Sequence, residues 1–235
     1  KTIFGNSPTK YVSLENISDY NFIPLSSFSN EKIYLCNETG EHSFYQSDRY
    51  GFNNIYEIWE EKIADLILIG DSFVTGSCTN KFNENNISDY FKKKNLTTIN
   101  LGFPGHGPLL EYATFVEYGK SKKPKKLLWF YYEGNDLKGL NIEKKSQILN
   151  NYLDGKSYNL INKQKKIEAL LIKNEYKLED LEKFERSKIF ENNFCNLKMQ
   201  KIRKLVNFSP SILKNKKNEF LTENNFKLFE KIILG

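Results

Sequence analysis

Between residues 64 and 132 apolar and polar positions follow one another in blocks that predict alternating strands and helices. Ala64–Ile69, apolar apart from Asp65, is a short run closed by Gly70, the pattern of a strand covered on both faces. Ile87, Tyr90 and Phe91 then recur at i, i+3 and i+4, the stripe of an amphipathic helix. Thr97–Leu101 reads as a second strand, stopped by Gly102 and a loop through Phe103, Pro104, Gly105, His106 and Gly107. Pro108 suits a first helical position, and Leu109, Ala113 and Val116 mark the packed side of the helix it opens. Lys126–Tyr132 is a third strand, stopped by Gly134. Strand, helix, strand, helix, strand over about 70 residues predicts a parallel sheet with right-handed crossovers. In such sheets ligands bind beyond the carboxyl ends of the strands.

The flanks are less regular. In residues 1–60 the segments Ile33–Cys36 and Ser43–Tyr45 read as short strands around a turn at Glu38-Thr39-Gly40, and Asp48–Asn54 reads as a loop. From Ile142 onward the chain turns helical and basic. Ile167, Leu170, Leu171, Leu178, Leu181 and Phe184 form a packing stripe under a lysine-rich face, Ser209-Pro210 interrupts it, and Phe226, Phe229, Ile232 and Ile233 make a last short stripe. The expected organisation is an N-terminal segment (1–60) packed on a core (61–140). Residues 141–235 then supply a helical insertion and the start of the C-terminal part of the same domain.

Composition changes this picture little. The chain has 235 residues, 39% hydrophobic and 14% aromatic, enough for a folded domain with a substantial core. No apolar run reaches the length of a membrane span. Residues 1–120 carry 10 basic and 15 acidic side chains, against 25 and 14 over 121–235. With only three Arg (Arg49, Arg186, Arg203) among abundant Lys and Asn, the basic half reads as a coding bias rather than a phosphate-binding face, and no nucleic-acid partner is expected. Cys36, Cys78 and Cys195 lack CxxC spacing and a nearby His pair, so no metal site or cofactor is expected.

Three successive strand ends send polar or glycine-rich loops to one sheet edge: Gly70-Asp71-Ser72-Phe73, then Gly102 with its loop, then Gly134-Asn135-Asp136. Ser72 falls where a helix should begin, so its N–H would be an unpaired first-turn donor aimed with the helix dipole at negative charge. Gly102 offers close backbone approach and a second N–H; Asn135 offers an uncharged side-chain donor. Three such donors around one hydroxyl make an oxyanion hole for acyl transfer. Singly, Ser72 reads as a helix cap, Gly102 as a strand terminator and Asn135 as a turn residue; their convergence is the informative feature.

On these residues the chain resembles the SGNH/GDSL hydrolases over residues 64–140. Gly70-Asp71-Ser72-Phe73 is similar to the first block of that superfamily, with Phe where Leu is usual. Gly102 matches the second-block glycine, and Gly134-Asn135-Asp136 the Asn-Asp third block, shorter by one residue. Asp48-Arg49-Tyr50-Gly51-Phe52-Asn53 resembles a loop that precedes the nucleophile in bacterial members, many of which act outside the cytoplasm on acylated sugars. The resemblance implies an α/β fold, a three-layer α/β/α sandwich with a mainly parallel sheet of flavodoxin-like SGNH type. It implies Ser72 as nucleophile, with the Ser72 N–H, the Gly102 N–H and the Asn135 side chain as the oxyanion hole. It implies a small-molecule or glycan ester as substrate and a periplasmic or cell-surface location. A Cys36–Cys78 disulfide would suit that location, and a membrane anchor could lie outside this sequence.

In that family Asp71 is not the triad acid; an Asp-x-x-His pair near the C-terminus supplies acid and base. This sequence has no such pair, and its histidines are His42 and His106. The expectation is a chain cut before that block and therefore nearly inactive. His106, in a loop beside the site, is an alternative base. Arg49 would bind a substrate carboxylate or hold its loop to the sheet; Glu133 and Asp136 would shape the pocket or be turn charges. Asp71 joins them as a binding residue. The alternative to an enzyme is a catalytically inactive SGNH-like binding domain. A phosphate binder is disfavoured by the absence of GxGxxG or GxxxxGK[ST].

Overall fold

The computed structural model describes residues 2–4, 21–36, 43–77, 86–173, 227–228 and 230–232. Its apolar runs form two three-stranded sheets. The first contains β1 (Thr2–Phe4), β2 (Lys32–Cys36) and β3 (Ser43–Gln46), with β1 parallel and β3 antiparallel to the central β2. The β2–β3 pair matches the two short strands predicted there, whereas their turn lies outside the described residues. The second sheet contains β4 (Leu66–Gly70), β5 (Thr98–Asn100) and β6 (Lys126–Phe130) in the order β5-β4-β6, all parallel. The three predicted strands thus form, with ends shifted or trimmed by up to two residues, and they run parallel as expected.

Side chains of β4 alternate between two cores. Ile67 and Ile69 join Ile99 and Leu101 with Leu109 and Ala113 of α3 (Pro108–Thr114), while Leu66 and Leu68 join Val74 of α1 (Ser72–Thr75) and half-buried Ile87 and Phe91 of α2 (Ile87–Lys92). The mixed α/β core therefore covers both faces of the parallel sheet, and each fully buried Ile or Leu contributes about 1.5–3 kcal/mol. Pro108 opens α3 at its first turn. After Thr114 the helix widens into a π turn, Phe115–Gly119, and tightens into a 3-10 turn, Lys120–Lys122. Tyr90 departs from its predicted stripe: it is exposed, with its ring against Phe91 and Lys94, because α2 is too short to bury more than one edge.

Past β6 come α4 (Asp136–Glu143), α5 (Gln147–Leu153), a 3-10 turn (Leu160–Asn162) and α6 (Gln164–Lys173). Ile167, Leu170 and Leu171 are buried in the main core, as the helical stripe requires; Leu178, Leu181, Phe184, Phe226, Phe229 and Ile233 lie outside the described residues. Cys36 is disulfide-bonded; the expected pairing with Cys78 falls on a residue outside the described ones. Among the described residues no helix is long and apolar enough to cross a membrane.

Candidate active site

The loop after β4 can exist only because residue 70 is glycine. Gly70 has φ +155°, a Cβ there would lie 2.4 Å from Val74 Cγ2 and 3.1 Å from the Phe130 carbonyl oxygen, and L side chains rarely adopt such a backbone. The chain then turns into α1, one turn long, capped at its start by Asp71, whose carboxylate accepts the Phe73 N–H at 2.9 Å. Gly76, in the left-handed region at φ +84°, ends it. Asp71, not Ser72, is the cap, which leaves the half-buried Ser72 free. Neither its N–H nor its hydroxyl has a hydrogen-bond partner among the described residues. The helix dipole expected behind Ser72 reduces to a single turn, so local N–H groups set the electrostatics here.

Both neighbouring strand ends reach this turn. From β5, Gly102 packs so closely that a Cβ would stand 2.6 Å from the Thr75 nitrogen and from Val74 Cβ. From β6, the Asn135 side chain donates to Asp71 Oδ2 at 3.2 Å, and the Tyr132 ring meets Phe73 edge-on at 5.2 Å. Asn135 occupies the cap position of α4 without capping it, so its carboxamide is held by Asp71 with one N–H left over. One expectation is corrected: the Gly102 N–H is not open to a ligand but donates to Asn100 Oδ1 at 2.9 Å. The buried Asn100 side chain fills the space beneath it. Phe73, Tyr131 and Tyr132 are exposed around the turn.

Buried acids underlie the same edge. Asp136 accepts the Tyr132 N–H at 2.5 Å through Oδ2, and its other oxygen is buried without a partner among the described residues. Burial, with Asp71 nearby, pushes its carboxyl up to about 6. Glu143 binds the N–H groups of Gly107 (2.7 Å) and Leu109 (2.9 Å), capping α3 from α4, and burial raises it to about 7. Glu111 accepts the Trp129 indole N–H at 2.5 Å; burial and the neighbouring Asp136 hold it well above the ordinary carboxylate range. No three His, Cys, Asp or Glu among the described residues are arranged to hold a metal ion.

His106 is buried, its ring is tilted against Phe103 at 5.0 Å, and neither ring nitrogen has a hydrogen-bond partner among the described residues. Burial lowers its pKa to about 3. It therefore makes no contact with Ser72 of the kind a general base needs. His42 lies outside the described residues. Arg49 ion-pairs with Glu60 and lies over the Tyr56 ring at 4.1 Å. These partners belong with Trp59 and Lys122, at the amino ends of β4 and β6, where the Ala64 N–H meets the Lys122 carbonyl. Ser72 follows the carboxyl end, so Arg49 and Ser72 are not brought together. Glu133 is exposed in the turn before Asn135.

Sequence reasoning placed Asp48, Asn53 and Asn54 in a loop and Asn100 in a strand without giving any of them a role. Asp48, 1% exposed, accepts four N–H groups, from Tyr50 (2.8 Å), Phe52 (3.0 Å), Asn54 (2.9 Å) and the Trp59 indole (2.7 Å). Burial nonetheless raises its carboxyl to about 6. Asn100 is the signal that was available: an amide between the apolar Ile99 and Leu101 at the end of a strand must find partners inside the fold. A groove of about 430 Å³ beside this loop is lined by Tyr45, Asn53, Asn54, Tyr56 and Asp89, among others, and not by Ser72. No family model, curated protein or solved structure matches the chain.

Proposed function

We propose that this chain carries the nucleophile and oxyanion site of a serine ester hydrolase or O-acyltransferase working through an acyl-Ser72 intermediate, on an α/β/α sandwich of the flavodoxin-like SGNH type, and that it is nearly inactive without an Asp-x-x-His block. The observation that carries the reading is the meeting of three successive strand ends on residues 71–75: Gly102 against Thr75, Asn135 on Asp71, and Tyr132 on Phe73. In the proposed reaction Ser72 Oγ attacks an ester carbonyl, its proton passing to the departing alcohol by way of the histidine of an Asp-x-x-His block. The oxyanion is received by the Ser72 N–H and the remaining Asn135 N–H, the alcohol leaves, and water or a sugar hydroxyl takes the acyl group. Gly102 contributes shape rather than a donor. The exposed rings of Phe73, Tyr131 and Tyr132 support a small-molecule or glycan ester as substrate. The disulfide at Cys36 supports an oxidising compartment such as the periplasm or cell surface.

A second reading, a binding domain that keeps this geometry without the chemistry, is favoured by one observation: His106 is buried with no hydrogen-bond partner among the described residues. Without a base, serine acylation slows by about a hundred- to ten-thousand-fold. A fluorophosphonate probe, followed by peptide mapping, separates the two. Covalent labelling at Ser72 that Ser72→Ala abolishes supports the hydrolase; a protein that binds acylated glycans but is never labelled supports the binding domain. Reading the gene past codon 235 for an Asp-x-x-His block bears on the same choice.

A further inference from the structure

Helix α1 is four residues long, and a single turn does not hold itself in water. Its last carbonyls need donors from elsewhere. The Asn100 side chain donates to the Val74 carbonyl at 2.7 Å, and the Asn53 side chain donates to the Thr75 carbonyl at 2.8 Å. The Asn100 amide traces to one carboxylate, that of Asp48, and Asn53 lies between Phe52 and Asn54, which both donate to it. Asn54 brackets the Asn100 backbone, accepting its N–H through Oδ1 at 2.8 Å and donating to its carbonyl at 2.9 Å, while its Nδ2 also meets Asp48 Oδ2 at 2.9 Å. Asn100 Oδ1 in turn holds the Gly102 N–H. An unbroken hydrogen-bonded path therefore runs from Asp48 through Asn54 and Asn100 to the turn that carries Ser72 and to the glycine beside it. Nearly every member is buried.

We propose that the Asp48–Asn54 loop is a positioning element for Ser72: Asn53 and Asn100 fix the carboxyl end of the nucleophile turn, and Asp48 fixes Asn54 and, through it, Asn100. None of these residues is catalytic; they act through the backbone of residues 72–75 and Gly102. The need for them at the chemical step rests on the hydrolase reading above, whereas their hold on the turn does not. Reaction at a serine hydroxyl is steeply sensitive to placement, and a displacement of about 1 Å costs on the order of a hundredfold.

Asn53→Ala is the primary variant, because Asn53 is only half-buried and its side chain makes a single bond to the turn. Asn100→Ala is the second. Asn150→Ala is the control, since it removes two amide-to-carbonyl bonds, to Lys144 (2.8 Å) and Ser146 (2.9 Å), far from Ser72 in sequence. Two measurements are made on each: hydrogen exchange at the Thr75, Gly76 and Ser77 amides, and the rate of Ser72 labelling by a fluorophosphonate. The expected result for Asn53→Ala is exchange about tenfold faster at those three amides, with labelling about ten- to a hundredfold slower and neither change in Asn150→Ala. Unchanged exchange in Asn53→Ala and Asn100→Ala overturns the proposal, as does faster exchange with an unchanged labelling rate. A full-length gene product that the probe never labels overturns the hydrolase reading instead; exchange alone then decides whether the loop holds the turn.

Discussion

Replacing Gly70 with alanine tests the geometry on which the site stands. The residue sits at φ +155°, and an added Cβ meets Val74 Cγ2 at 2.4 Å and the Phe130 carbonyl oxygen at 3.1 Å. Two costs are separable. Holding alanine in that region of backbone space costs about 1–3 kcal/mol. Forcing a methyl group into the contact with Val74 costs about 1–3 kcal/mol more, because Val74 is buried and β-branched and has little rotamer freedom to yield. The sum, about 2–6 kcal/mol, is a large part of the 5–15 kcal/mol typical of a folded domain. Urea titration followed by tryptophan fluorescence reads it as a midpoint lowered by on the order of 1–2 M. Gly70→Ala/Val74→Ala then removes the steric part alone, so relative to Val74→Ala the second substitution should cost only the backbone part. A loss below about 1 kcal/mol in Gly70→Ala would mean that the loop after β4 does not pass through this conformation. The placement of Ser72 would then fail with it.

Stability should fall as pH rises from about 4.5 to 7.5. Asp48 and Glu143 have native pKa values raised to about 6 and about 7, so the native state binds more protons than the unfolded chain across that window. Each contributes up to roughly 3 kcal/mol of loss. Urea midpoints at four pH values check the slope, and Glu143→Gln should flatten its upper part; a rising curve refutes the assignment. Asn135→Ala, at an exposed position whose side chain bonds, among the described residues, only to Asp71, should change thermal stability little. In the full-length gene product it should cut kcat/KM for p-nitrophenyl acetate about a hundredfold or more, and equal activity in the variant would remove Asn135 from the oxyanion site. Glu117 accepts the Tyr152 hydroxyl (2.9 Å) and the N–H groups of Tyr158 (2.5 Å) and Leu160 (2.7 Å). Glu117→Gln should therefore cost about 2–3 kcal/mol in a thermal melt and Tyr152→Phe only about 1 kcal/mol; comparable losses would show that the backbone bonds carry little.

What could be read from the sequence was what local period encodes. Ile67, Ile69, Leu66 and Leu68 announce a strand buried on both faces because neither side carries a polar residue, and Pro108 and Gly70 mark turns because their backbone preferences are intrinsic. The convergence on residues 71–75 was legible for a topological reason: parallel strands joined by helices send their carboxyl ends to one edge whatever the side chains are. Pairing between distant polar groups is not encoded that way. Asn54 and Asn100 meet across 46 positions, and nothing in either neighbourhood says which asparagine answers which.

The same limit explains the Gly102 N–H. Whether a backbone donor faces a ligand or the interior depends on one side chain two residues earlier, and Asn100 turns it inward. His106 misled for the converse reason: a histidine between two glycines reads as exposed, yet the ring packs on Phe103 and is buried. Glu111 carried a usable signal, being a carboxylate among the buried Leu109, Leu110 and Ala113 of α3. An isolated polar residue in an apolar stretch must be paid for by a partner. At Asn100 and Glu111 that partner lies at the carboxyl edge of the sheet, where Val74, Gly102 and Trp129 gather. Polar exceptions inside apolar elements thus point to the site edge more directly than the exposed charges of its loops, and Asn100, rather than Glu133 or Arg49, is where a search for the residues that shape Ser72 should begin.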